Sequence, residues 1–285
     1  MIPQFAKLLK HDERIRRGVY KMSGFAVLGT TLGVTALAML AMWTLSLGLK
    51  DASVVDVFWG LGFVLIAVTC FGISDGYQPR RLIVLTFICI WGVRLATFIF
   101  LRNRGKGEDF RYQAMRRRHG KRFAAVSLYT VFGLQGALMW IISLPIQVAL
   151  CADAVKKLTV FDALALTLWI TGFFFEAVGD FQLARFRKDP GNRGKVMDRG
   201  LWRYTRHPNY FGDALVWWGF FLIAVPAGRG GIVTVFSPVL MTELLRNVSG
   251  VSLLEKTLLK SKPDYEEYCR RTSPFFPWFP RRQEK

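Results

Sequence analysis

The sequence predicts an all-α fold: a polytopic membrane helix bundle of about seven transmembrane helices, with its C-terminus cytoplasmic. Three observations predict it. The chain is 52% hydrophobic, and several apolar runs approach the length that spans a bilayer. The net charge is +19, and that charge is gathered in the segments between the runs. A soluble nucleic-acid binder could carry the charge but not the runs, so nucleic acid is excluded as a partner. Finally, residues 200–221, GLWRYTRHPNYFGDALVWWGFF, pass from polar and basic to continuously apolar. That transition is the pattern of a helix entering a membrane from its headgroup side.

The segments run in order. Residues 1–21 are basic and mildly amphipathic, which reads as a surface helix on anionic lipid, and they lack the apolar core of a cleavable signal. The expected spans are Met22–Leu49, Ser53–Ile73, Leu82–Leu101, Phe123–Leu150, Leu158–Leu183, Tyr210–Val225 and Ile232–Leu245. The last two are short and joined by PAGRGG, so a helical hairpin that does not fully cross is the alternative. Residues 22–285 are read as one membrane domain. Residues 102–122, 184–209 and 246–285 hold 26 of the 39 Lys and Arg. Seven spans place all three on one face, which the positive-inside tendency makes cytoplasmic. The four cysteines show no CxxC spacing, so disulfide and zinc readings are both weak, and no metal ligand set is assigned.

Ionisable residues inside spans are costly and usually face a cavity or a partner. Asp56 starts span two and Arg94 lies within span three. Glu176 and Asp180 are four apart on span five, hence on one helix face. Asp213 falls early in span six and Glu243 late in span seven. Internal ion pairs, such as Arg94 with Asp56, are one explanation. A pocket is the other: cations of the two basic loops at the mouth, with carboxylates and Asn209 just inside. Pro208 suits the first turn of a helix, and a helix start beside arginines favours an anionic ligand. An interfacial anchor of Trp, Tyr and Arg would give the same composition. No Rossmann GxGxxG follows a strand pattern and no Walker sequence is present, so a nucleotide site here would be of another kind.

The chain resembles the steroid 5α-reductase-like membrane proteins, in particular their bacterial, uncharacterised DUF1295-type branch. The residues that carry the likeness are Asp56 with Trp59, WGVRLA (91–96), NRGKGEDFRY (103–112), EAVGDFQLARFRKDP (176–190), GNRGK (191–195), RHPNYFGD (206–213) and the tail LLEKTLLKSKPDYEEYCRRTSPFFPWF. The RHPNY block is shared with isoprenylcysteine and phospholipid methyltransferases. The resemblance implies a seven-helix monomer in the bacterial inner membrane. It would hold NADPH in a cytoplasm-facing cavity and reduce a carbon–carbon double bond conjugated to a ketone in a lipophilic substrate. Matching positions assign the cofactor to Arg104, Lys106, Asp180, Arg187, Asn192, Lys195, Arg203, Tyr204, His207, Asn209, Tyr210, Asp213, Glu255 and Tyr268. In the steroid enzymes an acid on the second helix and a tyrosine on the third hold the substrate carbonyl. Asp56 falls near the acid, while Trp91, Gly92 and Arg94 occupy the tyrosine's region. Catalysis is therefore expected from Asp56, protonated through burial and donating a hydrogen bond, and from Arg94 as direct charge. Two other classes compete: an S-adenosylmethionine-dependent membrane methyltransferase, and a non-catalytic lipid-binding scaffold without a buried polar cavity.

Overall fold

The computed structural model describes residues 22–153, 155–248 and 251–281; the basic segment expected to lie as a surface helix falls outside them. Every regular element among the described residues is helical. The chain divides into two compact units, residues 1–157 and 158–285.

The first unit begins with three long helices, α1 (Gly24–Leu49), α2 (Val54–Ile73) and α3 (Gln78–Asn103). Ser23 caps α1 by accepting from the Ala26 amide at 3.3 Å. Helices α2 and α3 touch backbone to backbone. A Cβ on Gly60 would lie 2.5 Å from the Gly92 carbonyl oxygen, so only glycine fits this crossing. At the α2–α3 turn the buried Arg81 donates to the carbonyls of Ser74 (2.6 Å) and Phe71, satisfying acceptors that the end of α2 leaves open. Its buried neighbour Arg80 does the same for Lys157 (3.0 Å) and Val155 (3.4 Å).

After α3, a turn through Gly105 and Gly107 leads to α4 (Phe110–His119). The chain then continues through α5 (Phe123–Ser127), a π-turn at Leu128–Gly133, α6 (Leu134–Ile142) and α7 (Leu144–Cys151). The π-turn inserts a residue and so rotates α6 about the helix axis relative to α5. A buried polar chain ties α1 to this run. Thr31 donates to Gln147 Oε1 (2.7 Å), Gln147 donates to Ser143 (2.8 Å), and the Trp140 indole donates to Thr31 (3.2 Å).

The second unit is organised by α8 (Val160–Lys188) and α9 (Pro208–Ala224). Thr159 and Asp162 form a capping box at the start of α8. The two helices meet at glycines: a Cβ on Gly212 would lie 2.3 Å from the Glu176 amide nitrogen and 2.4 Å from the Gly172 carbonyl oxygen. This close approach holds Glu176 and Asp180 of α8 against the start of α9.

Among the described residues, six helices are long and apolar enough to cross a bilayer: Gly24–Leu49, Val54–Ile73, Gln78–Asn103, Phe110–Ile142, Val160–Lys188 and Pro208–Ala227. The expected seventh span, 232–245, is not among them. It is broken into α10 (Arg229–Val233) and α11 (Phe236–Glu243), with a π-turn at Leu244–Val248. Gly228 has φ 78°, and a Cβ on Gly231 would collide with the Ala224 carbonyl, so the chain reverses tightly there. Pro238, on the first turn of α11, has no amide hydrogen to donate back to the Thr234 carbonyl, so the helical ladder is interrupted between α10 and α11. Helix α11 packs along α9, and the chain arrives back at the start of α9, where α12 (Val251–Ser261) and α13 (Tyr265–Arg271) form the tail. The return run is therefore made of short pieces rather than one long helix.

Candidate functional site

In the second unit, the approach to α9 is clamped from two sides. Gly200, at φ 59°, opens a short 3₁₀ turn to Arg203, and a Cβ there would strike the Gln182 side chain. Gln182 accepts from the Leu201 amide at 3.0 Å, and the buried Trp202 indole donates to the Gly179 carbonyl at 3.0 Å. These bonds fix the turn on α8. The tail fixes it from the other side: Thr205 donates to the Phe275 carbonyl (2.8 Å), the Arg206 amide to Ser273 (2.9 Å), and the Tyr268 hydroxyl to Trp202.

Arg206 and His207 converge on one carboxylate. Arg206 donates to both oxygens of Glu255, at 2.8 and 3.2 Å, and to the carbonyls of Cys269 (2.9 Å) and Thr272 (3.0 Å). His207 Nε2 lies 3.0 Å from the same Glu255 Oε1, and its ring stacks on Tyr210 at 5.5 Å. Burial lowers the His207 pKa, outweighing the pull of Glu255. For Glu255 burial pushes upward, but the hydrogen bonds from His207 and Arg206 win and hold its pKa below the ordinary value. Burial raises Tyr268. The guanidinium of Arg206, expected to await an anion at the helix start, instead locks the tail to the loop.

One turn further in, Asn209 donates to Asp180 Oδ1 at 3.0 Å. Its own Oδ1 is buried and has no hydrogen-bond partner among the described residues. Such an acceptor calls for a donor from outside the chain. Asp180 and Glu176 are buried, and Asp213 is half-buried one turn along α9. The glycine-mediated contact of α8 with α9 thus brings Asn209 against Asp180.

Two clefts open nearby in this unit. One, of about 290 Å³, is lined by Asn192, Lys195, Arg199, Asp264 and Glu267 among others. Asn192 is held by its donation to the Phe186 carbonyl at 3.1 Å. Lys262 donates to the Lys195 carbonyl, and Lys195 itself is exposed. Arg187 is exposed near the end of α8. The other cleft, of about 570 Å³, is lined by Asp198, Arg199, Gly200, Arg203, Arg271, Thr272, Pro280 and Arg281. The Asp198–Arg271 ion pair, at 2.5 Å, belongs to both linings. Arg203 therefore stands apart from Asn192 and Lys195, in the larger cleft. Tyr204 is partly exposed and anchors the tail, its carbonyl accepting from the Trp278 amide at 2.9 Å.

The first unit builds a different cluster around Asp56. Tyr112 donates to Asp56 Oδ1 at 2.7 Å, and Arg111 pairs with Oδ2 at 2.7 Å. Gln135 donates to the Tyr112 oxygen at 3.2 Å. Arg111 also bonds Asp109 at 2.8 Å. The turn that carries these residues is tied to the start of α2: Glu108 accepts from the Ala52 amide (2.9 Å), and the Asp109 amide donates to Ser53 (2.6 Å). Burial alone would raise Glu108 and Asp109, but the bonds from Arg116 and Arg111, respectively, hold both below their ordinary range. Asp56 accepts at both oxygens. The cation beside it is Arg111. Arg94 is half-buried on α3, its guanidinium 5.9 Å from the Phe98 ring. Arg104 and Lys106 lie exposed in the turn, in the first unit, whereas the remaining expected cofactor residues lie in the second.

Sequence reasoning missed Tyr112, Arg111 and Gln135. The signal was present, since NRGKGEDFRY ends on Arg111 and Tyr112, but a search confined to the third helix passes over them.

No solved structure matches the chain. An alignment over 263 residues with Uncharacterized protein C594.04c of Schizosaccharomyces pombe (strain 972 / ATCC 24843) is 25% identical and covers 83% of this chain and 75% of that protein. The family model described as "Protein of unknown function (DUF1295)" matches residues 42–272, reaching from α1 through α13 and so including both clusters. The chain belongs to the DUF1295 family.

Proposed function

We propose that this protein is an integral-membrane reductase that uses NADPH to reduce a carbon–carbon double bond conjugated to a ketone in a lipophilic substrate. The observation that carries the reading is the Asp56–Tyr112 pair. The resemblance calls for an acid and a tyrosine to hold a carbonyl, and the first unit supplies both, the tyrosine from α4 instead of α3. The second unit supports nucleotide recognition. Lys195 and Asn192 suit phosphate. Asp180 and the unpartnered Asn209 Oδ1 suit hydroxyl and amide donors. Arg187, His207, Tyr210, Asp213, Glu255 and Tyr268 surround or position these groups.

NADPH, when bound, supplies the hydride. The chain's residues then have two tasks, to answer the charge that develops and to hold the group that answers it. Hydride addition at the β-carbon would send the double-bond electrons toward the carbonyl oxygen, where negative charge would grow, and the α-carbon would then take a proton from water to complete the reduction. The Tyr112 hydroxyl can turn from Asp56 to that oxygen and stabilise or protonate it. Arg111 keeps the Asp56 carboxylate compensated meanwhile, and Gln135 holds the phenol oxygen in place. In this reading Arg94 is a wall residue, and Asp56 positions Tyr112.

The loop 189–207 and the tail meet at one end of α8 and α9. Both are basic, so we assign that end and the C-terminus to the cytoplasmic side of a bacterial inner membrane. A methyltransferase would share His207, Asn209 and Tyr210 but would give the cations no phosphate to meet. The test is to purify the full chain in detergent and titrate NADPH and S-adenosylmethionine separately. A panel of lipophilic enones is then screened by loss of reduced-nicotinamide absorbance. Saturable NADPH binding with enone-dependent oxidation supports the proposal; binding of S-adenosylmethionine and not NADPH overturns it.

A further inference from the structure

The larger cleft of the second unit is lined by cations that the proposed function does not use. Arg199, Arg203 and Arg281 have no acidic partner among the described residues, and the one acid in the lining, Asp198, is taken by Arg271. The cleft's backbone is firmly set: the Arg281 amide donates to the Arg271 carbonyl and the Trp278 amide to Tyr204, both at 2.9 Å. Its volume, about 570 Å³, falls in the range of small-ligand sites, roughly 300–1,000 Å³.

Directly before Pro280 and Arg281, the tail presents Phe276, Trp278 and Phe279 at 63%, 73% and 76% exposure. Three large aromatics do not remain bare in water beside a structured cleft without cause. Their depth can be assigned. Phe275 and Phe276 each pack on Phe211 at 6.1 Å, and Phe211 lies in the first turn of α9, where a candidate span begins. The aromatic strip therefore lies at the level where the span leaves the bilayer, which is where Trp and aromatic rings settle.

We propose that this cleft is a binding site for one anionic phospholipid. The headgroup phosphate sits among Arg199, Arg203 and Arg281, and the upper acyl chains run along Phe276, Trp278 and Phe279. Free inorganic phosphate could use the arginines but has no use for the aromatics; a nucleotide base could stack on them, but their place at the level where the span leaves the bilayer favours acyl chains. The proposal does not depend on the reductase reading.

The test uses the full chain purified in detergent, incubated with equal phosphatidylglycerol and phosphatidylcholine, and analysed by native mass spectrometry. The wild type should retain phosphatidylglycerol in preference to phosphatidylcholine. Arg199→Gln with Arg281→Gln should cut retained phosphatidylglycerol by about tenfold and leave phosphatidylcholine unchanged. Trp278→Ala with Phe279→Ala should also release phosphatidylglycerol. Arg281→Gln alone, an exposed change at the edge of the cleft, keeps the test open if a double variant fails to fold. Three results overturn the proposal: equal retention of the two lipids by the wild type, wild-type retention by the arginine variants, or displacement of the lipid by millimolar inorganic phosphate with no effect of the aromatic variant.

Discussion

The Tyr112 hydroxyl donates a 2.7 Å hydrogen bond to Oδ1 of Asp56, a residue 56 positions earlier in the chain. The contact joins α4 to the first turn of α2. It exists because Glu108 and Asp109 fasten the intervening turn to Ala52 and Ser53. A single hydroxyl thus sits against a carboxylate whose other oxygen is neutralised by Arg111, an arrangement able to deliver a proton or a hydrogen bond to an entering oxygen.

Tyr112→Phe removes that donor together with the acceptor for Gln135, and leaves the ring in place. If the reductase reading holds, kcat for enone reduction should fall about a hundredfold, with substrate binding changed much less. Arg94→Ala should cost under tenfold. Steady-state kinetics on the purified variants checks both, and a Tyr112→Phe enzyme with wild-type turnover would remove the tyrosine from the mechanism.

Asn209→Ala deletes both the bond to Asp180 and the unpartnered acceptor. The dissociation constant for NADPH should rise at least about tenfold, since a buried polar contact to ligand is worth roughly 1–2 kcal/mol. Tryptophan quenching on titration measures it. An unchanged constant would put the nucleotide elsewhere.

Glu255→Gln keeps the shape but removes the charge shared by Arg206 and His207. The tail should loosen from the loop, at a cost of about 2 kcal/mol. Proteolysis of the region 251–281 in the folded protein should accelerate relative to the wild type, and equal rates would refute the clamp.

Acid should weaken the same clamp for two reasons. His207 has a folded pKa below its ordinary 6.5, so as pH falls past 6.5 the unfolded chain takes a proton that the folded one resists, and stability drops. Glu255 has a folded pKa below its ordinary 4.5, so its contribution is complete above that value and disappears as pH falls through the folded value. Thermal melts should therefore decline from neutral pH downward. His207→Asn should flatten the upper part of that decline, between about pH 5 and 7, and leave the lower part. Superimposable profiles would show that His207 is not the group responsible.

Gly212→Ala should force α8 and α9 apart, because its Cβ has 2.3 Å to the nearest backbone atom. A cost of about 3 kcal/mol or more is expected. Gly230→Ala, where nothing lies within 4 Å, is the matched control. Comparable melting temperatures for the two would mean the helices are not in contact as described.

What the sequence determined by itself was the class of fold and most of its boundaries. Long apolar runs between basic segments can satisfy their backbone in lipid only as helices, so composition and length suffice to read them. Pro208 likewise marked the start of α9, because proline there loses no hydrogen bond. Tertiary structure decided who meets whom. Arg206 looked like an anion receptor until Glu255, 49 residues later, claimed it. Tyr112 looked like part of a basic loop until Asp109 and Ser53 turned it onto Asp56. The run 232–245 looked like a span, but tight contact of Gly231 with Ala224 and the proline at 238 break it up. In each case but the last the deciding interaction is between residues far apart in the chain, and periodicity and composition, being local, carry no information about such pairs.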